Sequence, residues 1–256
     1  MKKLCLFLAG VLLTLSAFSL SPKKEYDITP GDYGLTFEEI TIQTDDKLNL
    51  HGWLISPTSK SKKCVVFSHN GEGNMADYIE HASQFLSLGY NVLMYDYRGY
   101  GKSDDFNVNE KFYIYSQFSQ DLVAALDWVK KYRAVYTTDV YGIGLGGALS
   151  IAVAANRPEV GHVVADGAYA SLEKVQSAYQ QHGNKKVLMP LGYDKTMMEP
   201  VFALENKGDH LKGILLINSK SDKIVTLEDA DAIKSVRKKD LTIYEAESET
   251  NDQNFY

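Results

Sequence analysis

Apolar and β-branched runs recur at residues 35–42, 48–55, 64–67, 91–95, 139–143, 162–165, 213–218 and 241–244, and predict eight strands. The first two are separated by the polar stretch Thr44-Asp45-Asp46-Lys47, suited to the turn of an antiparallel hairpin. From Cys64 onward, strands alternate with segments of helical period: 76–88 closing at Gly89, a long amphipathic stretch over 110–132, a small-residue segment over 146–156, and 227–237 before the last strand. That alternation is the βαβ rhythm of a mostly parallel sheet with helices on both faces. Between Asp166 and Gly213 the pattern loosens, and residues 167–212 read as a short helical cap over one end of the sheet. With no repeat, low-complexity tract or linker, 20–256 is expected to be one α/β domain.

The first 19 residues differ from the rest. Lys2 and Lys3 precede an apolar stretch over 4–15, and Ala17-Phe18-Ser19 has small residues where signal peptides are cut. The expectation is an export signal removed after Ser19, giving a periplasmic or secreted protein; the alternative is a retained membrane anchor, 17 apolar-rich residues being close to the shortest stretch that spans a bilayer. Cleavage would take the formal charge of −6 two charges lower, an acidic surface that repels phosphate backbones, so no nucleic-acid partner is expected. Cys64 would then be the one remaining cysteine, inside an apolar run, and reads as a buried, inert thiol.

In an open α/β sheet, ligands bind where chains leave the carboxyl ends of strands. Four such turns stand out: Ser68-His69-Asn70-Gly71-Glu72-Gly73-Asn74, Asp96-Tyr97-Arg98-Gly99-Tyr100-Gly101-Lys102-Ser103, Gly142-Ile143-Gly144-Leu145-Gly146-Gly147, and Ser219-Lys220-Ser221-Asp222-Lys223-Ile224-Val225. In this order, after a hairpin and with a helical insertion before the last, they resemble the α/β-hydrolase superfamily, and most nearly its serine aminopeptidase and monoglyceride-lipase branch. The resemblance implies that Asn70 or Gly71 supplies one backbone N–H of an oxyanion hole, Leu145 the other, and that Asp222 is the triad acid. On its residues alone, Asp222 also reads as a turn or capping residue before the helix at 227. It also implies a final helix after the last strand.

The departures from that family carry more weight than the matches. Its elbow, G-x-S-x-G, has Gly144 in place of the serine nucleophile, so no acyl-enzyme can form there. The base position matches Thr250, and a hydroxyl cannot take up a proton near neutral pH as imidazole does. All six histidines, His51, His69, His81, His162, His182 and His210, precede Asp222, and none occupies the expected place. Ser68 and Ser150 lie near the site but have no base at a foreseeable position, and His69 reads as a structural residue beneath the oxyanion loop.

Losing the serine also writes Gly142-x-Gly144-x-x-Gly147 between a strand and a helix, with Asp166 about 20 residues on, the fingerprint of dinucleotide binding. Chain order opposes it, since that fingerprint usually opens its domain. Gly101-Lys102-Ser103 resembles a phosphate loop but lacks the required earlier glycine, that position being Asp96. The expectation is therefore a non-catalytic or severely impaired hydrolase-fold protein, with no cofactor or metal, that binds an acyl or peptide-like ligand or a protein partner. The alternatives are an active esterase, thioesterase or peptidase with a relocated nucleophile, and a dinucleotide binder.

Overall fold

The computed structural model describes residues 20–134, 136–182 and 186–247. The expected leader and Thr250 lie outside the described residues.

Eight strands form one sheet: β1 (Thr36–Gln43), β2 (Asn49–Ser56), β3 (Lys63–Ser68), β4 (Asn91–Tyr95), β5 (Thr137–Ile143), β6 (Val160–Asp166), β7 (Gly213–Ser219) and β8 (Leu241–Ala246). Their spatial order is β8-β7-β6-β5-β3-β4-β2-β1. β2 is antiparallel to both β1 and β4, and every other pairing is parallel. Among the described residues seven α-helices accompany them: α1 (Ile79–Ser87), α2 (Gln117–Tyr132), α3 (Leu145–Ala155), α4 (Leu172–His182), α5 (Lys195–Met198), α6 (Pro200–Asn206) and α7 (Leu227–Val236).

The alternation of each strand feeds two apolar layers. Trp53, Phe67, Met94 and Tyr141 pack on the α1 side. Val66, Leu93 and Leu216 pack on the other, with Phe118 of α2, Leu149 of α3 and Ile233 of α7. Every residue of α3 is buried, which is why its sequence is apolar all round rather than striped.

Two of the expected helices begin later than their periodicity suggests. The first opens as a 3₁₀ turn, Met75–Tyr78, before α1. The second starts at Gln117 rather than Glu110. Residues 111–113 instead bond laterally to the cap, Tyr113 N–H to Leu188 O (2.9 Å) and Leu188 N–H to Lys111 O (2.7 Å), and that pairing outcompetes helix propensity. The expected cap is divided as well: α5 and α6 pack on α3 within the helical layer, and α4 instead lines a cavity with the turn after β7.

The Asp-Tyr-Arg-Gly segment joins these parts. Arg98 is 1% exposed; its guanidinium donates to Asp121 of α2 at 2.7 and 2.9 Å and to Asp46 in the β1–β2 turn at 2.7 Å. It therefore fastens the edge hairpin to the helical layer. Among the described residues no helix is long and apolar enough to cross a membrane.

Candidate active site

From β3 the chain turns to β4 on one side and later returns to β5 on the other, so the crevice above the carboxyl ends of β3 and β5 is the switch point where ligands of such sheets bind. Ser68 and Gly142 are paired there, and both turns of interest leave from them.

The elbow is shaped by close approach of backbone. A Cβ on Gly142 would lie 2.2 Å from Gly146 O, and one on Gly146 would lie 2.3 Å from Ser68 O. Only glycine allows α3 to start so near the sheet. Gly144, between them, is the N-cap of α3 with φ 56° and ψ −122°, a left-handed conformation with a sharp reversal. Its N–H donates to Asp166 O at 2.7 Å, which fixes the apex. A Cβ there would lie 3.1 Å from Asn70 Cβ. The apex is thus formed, faces the Asn70 loop, and carries no side chain.

That loop is braced from beneath. The N–H of Gly71 donates to His69 Nδ1 at 3.2 Å, and that of Glu72 donates to Asn70 Oδ1 at 2.9 Å, so the Gly71 donor is directed inward at the ring. Of the two positions the family resemblance offers for the oxyanion donor, Gly71 is the one whose N–H is already engaged. Asn70 Oδ1 also accepts from Tyr78 OH at 2.5 Å. Tyr97 OH donates to His69 O (3.2 Å) and Tyr100 OH to Gly71 O (2.9 Å). Burial pushes the His69 imidazole down to about 3, so it is neutral, and Nδ1 as an acceptor puts its proton on Nε2. It supports the loop. Leu145 closes the other wall; its Cδ2 lies 2.9 Å from where a Cβ on Gly71 would be.

Asp222 lies in the turn that follows β7, and α4 lines the same cavity. Its Oδ1 accepts from Ile224 N (2.8 Å) and Val225 N (3.0 Å). Burial raises its carboxyl above the ordinary range, and those two N–H groups act against the rise. Asp222 lines a cavity of about 590 Å³ together with Ser171, Lys174, Ser177, His182 and Lys220. Chain order gave no hint that His182, at the end of α4, would share a cavity with the acid. Ser68 and Ser150 are both completely buried, and neither can meet a substrate.

Several site residues were given no role from the sequence. Tyr97 and Tyr100 could have been read from their spacing around Gly99 after a strand; Tyr78 and His182 lie on helices whose periodicity marks no function. The dinucleotide fingerprint is absorbed by the elbow: a Cβ on Gly147 would lie 2.9 Å from Gly142 O, and Asp166 is buried at 3% exposure.

The switch-point crevice, the glycine elbow and the braced loop define an α/β hydrolase. Residues 59–191 match the serine aminopeptidase S33 family, and the chain belongs to that family. It is similar to the α/β-hydrolase domain-containing protein WAV2 of Arabidopsis thaliana, 30% identical over 155 residues, which cover 58% of this chain and 48% of that one. It is also similar to protein bem46 of Schizosaccharomyces pombe, 30% identical over 149 residues, 57% and 48% of the two chains. The matched stretches span about half the length of these relatives. The Pyrococcus furiosus esterase Pf2001 shares the fold, with a TM-score of 0.71 and 22% identity over 89% of this chain and 90% of that one.

Proposed function

We propose that this chain is an exported serine-hydrolase relative that has lost catalysis, or nearly so, and uses the crevice to bind an acyl or peptide-like ligand or a protein partner. The observation that carries the reading is the bare apex at Gly144, since without an Oγ there is no atom to attack a carbonyl carbon. The binding surface does not depend on that atom. The start of α3 and the backbone donors around it belong to the main chain, and glycine leaves them in place. Loss of a triad nucleophile costs about a millionfold in kcat in subtilisin. A fluorophosphonate probe tests the reading: the purified protein is expected to remain unlabelled, and covalent labelling of any serine defeats it.

A second reading draws support from the cavity under α4, where His182 and Asp222 line one space with Ser171 and Ser177. There a relocated nucleophile would hydrolyse an ester, thioester or peptide. Labelling of Ser171 or Ser177 by the same probe, lost in His182→Ala, is the result that selects it. Export is tested by fractionation with N-terminal sequencing, which is expected to begin at Leu20.

A further inference from the structure

A side chain from the segment that precedes β1 packs against the 68–74 loop beside Leu145. Leu20 is 1% exposed, and its Cδ2 lies 2.8 Å from where a Cβ on Gly71 would be, alongside Leu145 Cδ2 at 2.9 Å. The absence of a side chain on Gly71 is what gives Leu20 its seat. The residues after Leu20 run as a short parallel strand along the loop, Ser21 opposite Glu72 and Pro22 opposite Gly73. Ser21 N–H donates to Gly71 O (3.0 Å) and Lys23 N–H to Gly73 O (2.9 Å). In such a strand alternate residues turn their N–H toward the partner, so the residue between, Pro22, gives up a donor the loop would not have received.

The grip continues past the strand. Asn74 Nδ2 donates to Lys23 O and to Glu25 O (3.2 and 2.8 Å), and Gly101 N–H donates to Lys23 O at 2.9 Å. Tyr26 OH is hydrogen-bonded to Asp96 and to His51 Nδ1. Both loops that brace the site, 68–74 and 96–103, thus also hold this segment.

Addition of an extended strand to an exposed backbone edge, with a pocket for an alternate side chain, is an established way of binding peptides. We propose that the groove between Gly71–Gly73 and Leu145 is a peptide-binding groove for an extended segment bearing a leucine-sized apolar side chain, and that residues 20–23 of this chain occupy it in cis. The proposal rests on the ligand-binding reading above and specifies its ligand class. A peptide in trans then competes with a tethered segment whose effective concentration is on the order of millimolar, so the parent is closed to it.

The test uses the full chain, Leu20→Gly, the milder Leu20→Ala, and the peptide N-acetyl-Leu-Ser-Pro-Lys-amide. In the parent, the Ser21 and Lys23 amides are expected to resist hydrogen exchange as the neighbouring loop does, and the peptide at millimolar concentration to leave the melting temperature unchanged. In the variants those amides exchange faster by on the order of tenfold or more. The peptide then binds calorimetrically and raises the melting temperature, whereas its counterpart with glycine for leucine does neither. Free exchange at Ser21 and Lys23 in the parent overturns the proposal. So does a folded Leu20→Ala that ignores the peptide, which would make Leu20 an ordinary core residue. If Leu20→Gly fails to fold, Leu20→Ala and the parent's exchange decide. Probe labelling of a serine would defeat the non-catalytic reading and leave these outcomes untouched, so the two failures are distinguishable.

Discussion

Asn70 Cβ stands 3.1 Å from the point where a Cβ on Gly144 would lie, so the loop has settled against an apex without a side chain. Restoring the nucleophile meets two obstacles: a backbone at φ 56° and ψ −122° that L-residues rarely adopt, and the crowding by Asn70. Gly144→Ser is expected to lower stability by about 1–3 kcal/mol, the usual cost of a residue held in such a region. Asn70→Gly should recover part of that loss, so the two substitutions will not add. Denaturant melts of the two single variants and the double variant measure the coupling.

Activity is a separate matter. Gly144→Ser alone supplies an Oγ without a histidine at the position the family resemblance gives to Thr250, and is expected to stay inactive on p-nitrophenyl esters. Together with Thr250→His it should gain measurable hydrolysis, because positioning of nucleophile and base is the part of the barrier a preformed scaffold can remove. Equal rates for the double variant and the parent would show that the relation of Asp222 to the elbow has drifted from that of the active enzymes.

The elbow glycines make a sharper structural prediction. A Cβ on Gly146 would meet Ser68 O at 2.3 Å and His69 O at 2.5 Å, both main-chain atoms that cannot swing away. Gly146→Ala should therefore cost more than about 3 kcal/mol or abolish folding. Gly192→Ala meets nothing within 4 Å and should cost only the modest price of a φ of 65°. Expression and melting temperature of the two variants give the comparison.

How much of this was readable in advance follows from the range of the forces involved. Strands such as β4 and β7 announced themselves as short runs of apolar and β-branched residues, and the glycine spacing around Gly144 encodes a turn within a few residues. The seat of Leu20 depends on Gly71 and Leu145, which are distant in sequence, and no local pattern marks it. The inward turn of the Gly71 N–H was invisible too, because it is set by the tautomer of His69 and the carbonyl grips of Tyr97 and Tyr100. The split of the cap was hidden because α6 is short and its apolar residues suit either a lid or a layer.

The buried pair of Arg98 and Asp121 is a fourth test. Asp121 is fully buried, and burial pushes its carboxyl up to about 6 even though Arg98 opposes the shift. Removing Asp121 leaves the buried Arg98 guanidinium with Asp46 as its remaining carboxylate: Asp121→Ala should destabilise by about 3–5 kcal/mol. Arg98→Met with Asp121→Leu removes both charges and should lie closer to the parent, with Asp46 left at the half-exposed turn where water can solvate it. Chemical denaturation of the three proteins orders them.

The last prediction concerns Asp96, which is fully buried and accepts from Met75 N–H at 2.8 Å and from Tyr26 OH. Burial holds its carboxyl at about 7 against an ordinary value of 3.8, with the two donors opposing the shift. Below about pH 4 the group is protonated in both the folded and the unfolded chain and contributes nothing to pH dependence. Between about 4 and 7 the unfolded chain has released the proton while the folded chain retains it, so the contribution of Asp96 to stability falls as pH rises. Above 7 the loss is complete and amounts to roughly 4 kcal/mol at most, at about 1.4 kcal/mol for each pH unit of displacement. Asp96→Asn cannot ionise, keeps an oxygen for Met75 N–H, and should flatten this segment of the profile. Stability of parent and variant from pH 4.5 to 8 isolates the effect, because His51 on the far side of Tyr26 is common to both and cancels. Since Tyr26 ties the segment that begins at Leu20 to Asp96, the same titration should appear as faster exchange of the Ser21 and Lys23 amides in the parent above pH 7, corrected for the intrinsic rate. Parallel profiles for parent and variant would mean that Asp96 is ionised throughout and that Tyr26 and Met75 solvate it better than its burial implies.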